Sequence, residues 1–185
     1  MDVSTTFQKS ADATAAIAHG IRPEQLDNPT PCGEWNVQEL INHLIGSLDY
    51  FKARGLGEDS GPPKPASPMP YDETIKRLED AAMATAAAWR RPGALEQKIK
   101  TGAGEMPAAA MANMVLSEML THTWDLAKAT GQRMSADDVD VNGVLAGMKQ
   151  SLKPEARQPS FAPEMQAPNE APPIDRLAAF LGRQP

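Results

Sequence analysis

Apolar positions along the chain recur every three or four residues in long stretches, and almost never at alternate positions. That period puts side chains on one face of a helix. Residues 2–20 carry such a stripe in Val3, Phe7, Ser10, Thr14, Ala18 and Ile21. His19-Gly20 marks its end, because Gly enters the left-handed stop conformation freely. Pro23 and Asn28-Pro29-Thr30-Pro31 then forbid a helix and mark a loop. A second helix is predicted after Trp35. Asn36 caps it, and Glu39 stands at the third helical position in a capping-box spacing. Leu40, Leu44, Leu48 and Phe51 form its apolar face, widened by Val37, Ile41 and Ile45, and it fades at Gly55-Leu56-Gly57. A third helix runs from about Tyr71 to Arg91, with Ile75, Leu78, Ala82, Thr85 and Trp89 inward and Pro92-Gly93 as its stop.

Pro107 opens a fourth, long helix that ends at Ala129 or Thr130, before Gly131. A fifth spans about Asp137 to Leu152, with acidic residues in its first turn, where the helix dipole favours them. A short last helix, Ile174 to Leu181, docks back through Leu177, Phe180 and Leu181. Between these elements lie a Pro-rich connection at residues 58–70, expected to be mobile or extended, and a second Pro-rich linker from Pro154 to Pro173. Lys98-Ile99-Lys100-Thr101 fits one strand of a small ribbon, and Gly102-Ala103-Gly104 reads as a turn. Strand-forming runs are otherwise absent. The fold class is therefore all-α, and 185 residues fit a single domain, with a core bundle over about 1–131 and a C-terminal extension over about 132–185.

The net charge of −6 and the absence of any basic cluster beyond Arg90-Arg91 exclude the basic face a nucleic-acid binder needs. No apolar stretch approaches the ~18 residues of a membrane span. Met1 to Ser10 lacks the apolar core of a signal peptide, so the cytoplasm is the simplest location. The single cysteine, Cys32, cannot form an internal disulfide, which fits a reducing compartment. The sequence does not fix an oligomeric state.

The residues that carry chemistry sit on the fourth helix. Glu118 and His122, four apart, point the same way, and Met111, Met114, Val115 and Ala129 share their side. The pair is therefore expected to face the bundle. A buried carboxylate needs compensation by a metal ion, a cation or its own proton. A metal also suits the imidazole, and bundles build metal sites from facing helices. His43, at the border of the second helix's apolar stripe, is a candidate third ligand, and Gly46 and Ser47 one turn on leave room for an ion or a substrate. Two His and one Glu match three-ligand zinc sites with an open position. The competing reading makes both histidines ordinary hydrogen-bonded residues near the core. Asp125, on the same face, either orients a ligand or tethers another helix, the tether being favoured. Cys32 is either a reactive thiol near the metal or, the favoured reading, a small packed residue. Trp35 is expected to cover the top of the core, and His19 to lie at the surface or cap a helix end.

Thr30-Pro31-Cys32-Gly33-Glu34-Trp35-Asn36-Val37, followed by Leu40-Ile41-Asn42-His43-Leu44-Ile45-Gly46, resembles the opening motif of actinobacterial metal-binding proteins of the mycothiol-dependent maleylpyruvate isomerase N-terminal group, within the DinB-like superfamily. The run His122 to Gly131 resembles that group's second motif, and Ala171-Pro172-Pro173 with Asp175 to Arg183 resembles its ending. The resemblance implies a DinB-like four-helix bundle with additional C-terminal helices. It also implies a divalent metal held by His43, Glu118 and His122. Zinc fits the ligand chemistry, and nickel and copper bind nitrogen sites comparably. Relatives of known activity isomerise or transfer a low-molecular-weight thiol such as mycothiol or bacillithiol at the metal. The resemblance thus implies a small-molecule thiol and an electrophilic substrate as partners. The stretch after Gly131 is short and looks unlike the second domain of the isomerase proper. Three readings follow: a thiol-dependent transferase or isomerase, a metal-dependent hydrolase, and a non-catalytic metal-binding or interaction module.

Overall fold

Each helix of the bundle starts and stops where local chemistry dictates. The computed structural model describes residues 2–33, 35–102, 104–157 and 161–185. Glu34 of the first motif, Ala103 of the predicted turn, Met1, and residues 158–160 of the second linker lie outside the described residues. Helix α1 (Val3–Gly20) is capped by Asp2, whose Oδ1 accepts from the Thr5 amide at 3.1 Å. Helix α2 (Val37–Leu56) starts with the expected box: the Glu39 amide donates to Asn36 Oδ1 and the Asn36 amide to Glu39 Oε2, each at 2.9 Å. It stops at Gly57, whose φ of +81° only Gly adopts without strain. Helix α3 is Tyr71–Arg90, α4 is Ala108–Thr130, α5 is Asp138–Ser151 and α6 is Pro173–Phe180.

The expected boundaries differ by a residue or two at most. Pro107 is the residue before α4 rather than its first, because it ends the second strand of a ribbon. That ribbon pairs β1 (Lys98–Thr101) with β2 (Gly104–Pro107) in antiparallel register, from Lys98 opposite Pro107 to Thr101 opposite Gly104. The fifth helix begins one residue late, since Asp137 serves as its cap and accepts from the amides of Val139 and Asp140. Two short 3₁₀ turns, Pro23–Gln25 and Pro154–Ala156, went unpredicted.

In the bundle, α1 packs against α3 and α4, and α2 also packs against α3 and α4. Helices α5 and α6 pack on each other and on the outer side of α4. Helix α4 is thus covered on most sides, and Ala108, Met111, Val115, Leu116, Met119, Leu120, Trp124, Leu126 and Ala127 are all buried. Met114 is a correction: it is exposed, not turned into the bundle with Met111 and Val115. Position 114 lies on the rim of α4 that no neighbouring helix covers. On the α1–α3 side, Phe7 and Trp89 stack at 5.8 Å, and Trp89 Nε1 donates to the Phe51 carbonyl of α2 at 2.9 Å. Among the described residues, no helix is long and apolar enough to cross a membrane.

The Pro-rich connection at residues 58–70 is extended and tied down along α2. The Ala66 amide donates to the Asn42 carbonyl at 2.8 Å. A Cβ added to Gly46 would stand 1.9 Å from the Lys64 carbonyl oxygen. Gly46 therefore makes room for the crossing backbone, not for an ion or a substrate as its position suggested. This strap brings Pro63 to the edge of the cavity described next.

Candidate metal centre

Helices α2 and α4 bring the three predicted residues together. His43 Nε2 lies 3.0 Å from Glu118 Oε1, and His122 Nε2 lies 3.6 Å from the same oxygen. The ligand atoms of all three fall within 4.8 Å of one another. Glu118 and His122 share a face of α4 because they are four residues apart. His43 reaches them from one turn into the α2 border. His122 is buried, whereas His43 and Glu118 are about a quarter exposed and face a cavity of about 650 Å³. The pair therefore stands at the edge of the bundle, not in its interior.

The spacing suits a small cation. Three donors at roughly 2.0–2.1 Å from one ion in tetrahedral arrangement lie about 3.3 Å apart, between the 3.0 and 3.6 Å seen here. Without an ion the triad is an ion pair. Burial opposes the charge on Glu118, but His122 and hydrogen bonds from His43 and Ser47 outweigh it and hold its pKa at about 2. Burial likewise opposes protonation of His122. The Glu118 charge, with hydrogen bonds to Asp125 and Cys32, overrides it and pushes the pKa up to about 10.

His122 Nδ1 donates to Asp125 Oδ2 at 3.0 Å, which turns Nε2 toward Glu118 and His43. Asp125 is fully buried, and the same oxygen accepts from Arg183 Nη2 at 3.2 Å and Nε at 3.4 Å. Both readings of Asp125 are thus present in one carboxylate: it orients the histidine and anchors the C-terminal segment. Arg183 in turn lies 3.2 Å from Cys32 Sγ.

Two helices thus carry His43 on one and Glu118 with His122 on the other, beside the loop that bears Cys32. The family model of the mycothiol maleylpyruvate isomerase N-terminal domain matches residues 7–127. The chain belongs to this family. It is 36% identical over 185 residues to an uncharacterized protein of Mycobacterium tuberculosis, found in two strains, covering 99% of this chain and 98% of the relative. Among solved structures, it is similar to the crystal structure of the mycothiol-dependent maleylpyruvate isomerase, with TM-score 0.59 and 17% identity. A histidine-to-alanine mutant of that enzyme gives a TM-score of 0.56 at the same identity. In each case the match covers 80% of this chain and 66% of the other, and the likeness is one of fold. The bundle here is DinB-like, with α5 and α6 added after the fourth helix.

Several residues line the cavity that the sequence reading had not placed there. Trp35, expected over the core, lies against the centre: its ring is 4.2 Å from that of His43 and 6.3 Å from that of His122. Phe161, Leu181, Gly182 and Arg183 bring the C-terminal segment to the cavity wall. The docking of the last helix through Leu181 was expected, whereas periodicity does not give the reach of Arg183 to the cavity. The signal available was Arg183 at the end of the last motif, a charged residue directly after an apolar helix. Thr121, hidden one residue before His122, also lines the cavity. His19 is exposed and pairs with Glu79 at 2.7 Å, far from this chemistry in role.

Proposed function

We propose that the chain holds one divalent transition-metal ion through His43, Glu118 and His122 and uses it to present a small, mycothiol-like thiol to an electrophilic substrate, as a transferase or isomerase. The observation that carries this reading is the meeting of two imidazoles and a carboxylate at the floor of an open cavity. The family's printed description, a mycothiol maleylpyruvate isomerase, supplies the thiol and the reaction class. Zinc suits this donor set best, and nickel is the alternative.

A bound divalent ion lowers the pKa of a coordinated thiol and so supplies a thiolate at neutral pH. The chain's own residues set the conditions for that chemistry. Asp125 fixes the His122 ring through Nδ1. Ser47 hydrogen-bonds the triad from the next turn of α2. Trp35 shields the His43 ring from water on one side. The cavity over the triad leaves an open side for sulfur, and Phe51, Phe161 and Leu181 give it an apolar wall that excludes water.

The competing readings find less support. A closed structural site needs a fourth side chain on the cavity side, yet Cys32 groups with His122 and Asp125 rather than with His43 and Glu118. A hydrolase needs a free acid or base beside the attacking water, and among the described cavity residues Glu118 is the sole carboxylate.

The test is elemental analysis of protein purified without a His tag, together with turnover assays over a panel of thiols and electrophiles. The expected result is close to one metal per chain in the wild type, loss of that metal in His122→Ala, and a rate that saturates with thiol. Equal metal in both proteins, or hydrolysis independent of thiol, would overturn the reading.

A further inference from the structure

A second cavity, of about 690 Å³, lies where the end of α5 and the turn after it meet the segment at Pro163 and the ring of Phe180. Among the described residues, Phe161 is the one side chain that lines both this cavity and the one over the triad, so the two share no charged group. The charge here runs against the rest of the molecule. In a chain of net charge −6, Lys149, Lys153 and Arg157 meet around this space, with Glu164 as the sole carboxylate lining it. Neither lysine has an ion-pair partner among the described residues, and Lys149 Nζ stands 5.7 Å from the centre of the Phe180 ring.

The decisive side chain is Arg157. It is 8% exposed, and its guanidinium carbon lies 4.6 Å from the centre of the same ring. Nη1 donates to the carbonyls of Ala162 at 3.1 Å and Phe180 at 2.9 Å, which fixes the plane of the group. Nε and Nη2 have no hydrogen-bond partner among the described residues, and neither atom is sealed off by protein. Glu164 Oε2 is 4.0 Å from Nη2, beyond hydrogen-bond reach, on a side chain that is 54% exposed. A cation buried this far calls for a counter-charge and for acceptors. The Nε–Nη2 edge is a fork that grips a carboxylate with two parallel bonds. Leu152, Phe161 and Pro163 add an apolar wall beside it.

We infer that this cavity binds a small organic anion, with its carboxylate on Nε and Nη2 of Arg157 and its apolar body against Leu152, Phe161 and Pro163. Lys149 and Lys153 draw the anion in and offset its charge. An inorganic anion would satisfy the fork but leave the wall uncovered.

The test titrates benzoate into the isotope-labelled full chain at fixed ionic strength, followed by backbone amide shifts in NMR. Expected is a saturable shift at millimolar benzoate, centred on residues 149–157, 161–164 and Phe180. Benzamide has the same ring without the charge and gives no saturable shift there, and inorganic phosphate binds more weakly than benzoate. Arg157→Lys keeps the charge but loses the fork, and weakens benzoate binding roughly tenfold. That change also touches the bonds to Ala162 and Phe180. The double variant Lys149→Gln with Lys153→Gln alters two exposed side chains, unfolds at the wild-type temperature, and weakens benzoate about fivefold. Absence of a saturable shift overturns the inference, as does an affinity unchanged in both variants. Benzamide or phosphate binding as tightly as benzoate overturns it too, as do shifts centred on the triad. The shifts read this cavity and not His43, Glu118 or His122, so the result stands apart from whether those three hold a metal.

Discussion

The two sides of the helix bundle treat polar groups in opposite ways. Between α1 and α4, Thr14 and Thr123 are fully buried and share one hydrogen bond at 2.8 Å, and Thr14 also donates to the Ser10 carbonyl. Each hydroxyl has its partner, and Phe7 and Trp89 seal the neighbouring core. Between α2 and α4, His43, Glu118 and His122 hold charge at the floor of a cavity, and Thr121 Oγ1 and Asp125 Oδ1 have no partner among the described residues. The same helix, α4, faces both ways. One side spends its polar groups on holding the fold together. The other gathers an ion pair and two unpartnered oxygens beside a cavity.

Substitutions on the two sides should therefore separate. The largest stability effect is expected on the closed side: Phe7→Ala removes a fully buried ring and costs about 3–5 kcal/mol in denaturant unfolding, with metal stoichiometry unchanged. On the open side, His43→Ala is expected to weaken metal binding by roughly 100-fold or more in chelator competition. The metal-free protein should unfold within about 1 kcal/mol of wild type, since the ring is part-exposed and packs on the rim. A large loss of metal-free stability would show that the triad serves the fold as the threonine pair does.

Asp125→Asn sits between the two behaviours. It keeps the volume but weakens the acceptor for His122 Nδ1 and for Arg183. Expected are a 10–100-fold loss of metal affinity and faster proteolysis of the C-terminal segment, checked by chelator competition and limited proteolysis. The smallest and most graded effect is with pH. In the metal-free protein the His122 pKa is raised from 6.5 to about 10. The ion pair's stabilisation is thus fully present only between about pH 4.5 and 6.5; it is lost as pH rises through 10, and at the acid end as pH falls through the Glu118 pKa of about 2. A metal requires the neutral ring, so apparent affinity should climb about tenfold per pH unit between 7 and 9, with one proton released per ion in calorimetry. A flat profile would mean that His122 is not a ligand.

Much of this contrast was legible in the sequence, and the limits have physical causes. Helix boundaries came from caps and breakers such as Asn36-xx-Glu39, Gly57 and Gly131, which act over three or four residues and so are visible locally. The Glu118–His122 pair followed from helical period alone. The environment of Met114 did not, because a period gives a direction but not which neighbour covers it. Gly46 was read as space for a ligand, whereas it is filled by the backbone at Lys64, a contact made by a segment without periodic signal. Arg183 reaches Asp125 and Cys32 across long separations in sequence, and only the fold brings such groups together.

The central claim, that one ion is held by side chains from two helices, is tested most directly by X-ray absorption at the zinc edge on zinc-loaded protein free of added thiol. Expected is a first shell of nitrogen and oxygen donors at roughly 2.0–2.1 Å with the outer scattering of two imidazoles, reduced to one in His43→Ala. A sulfur at roughly 2.3 Å that vanishes in Cys32→Ser, or a spectrum unchanged by His43→Ala, would contradict it.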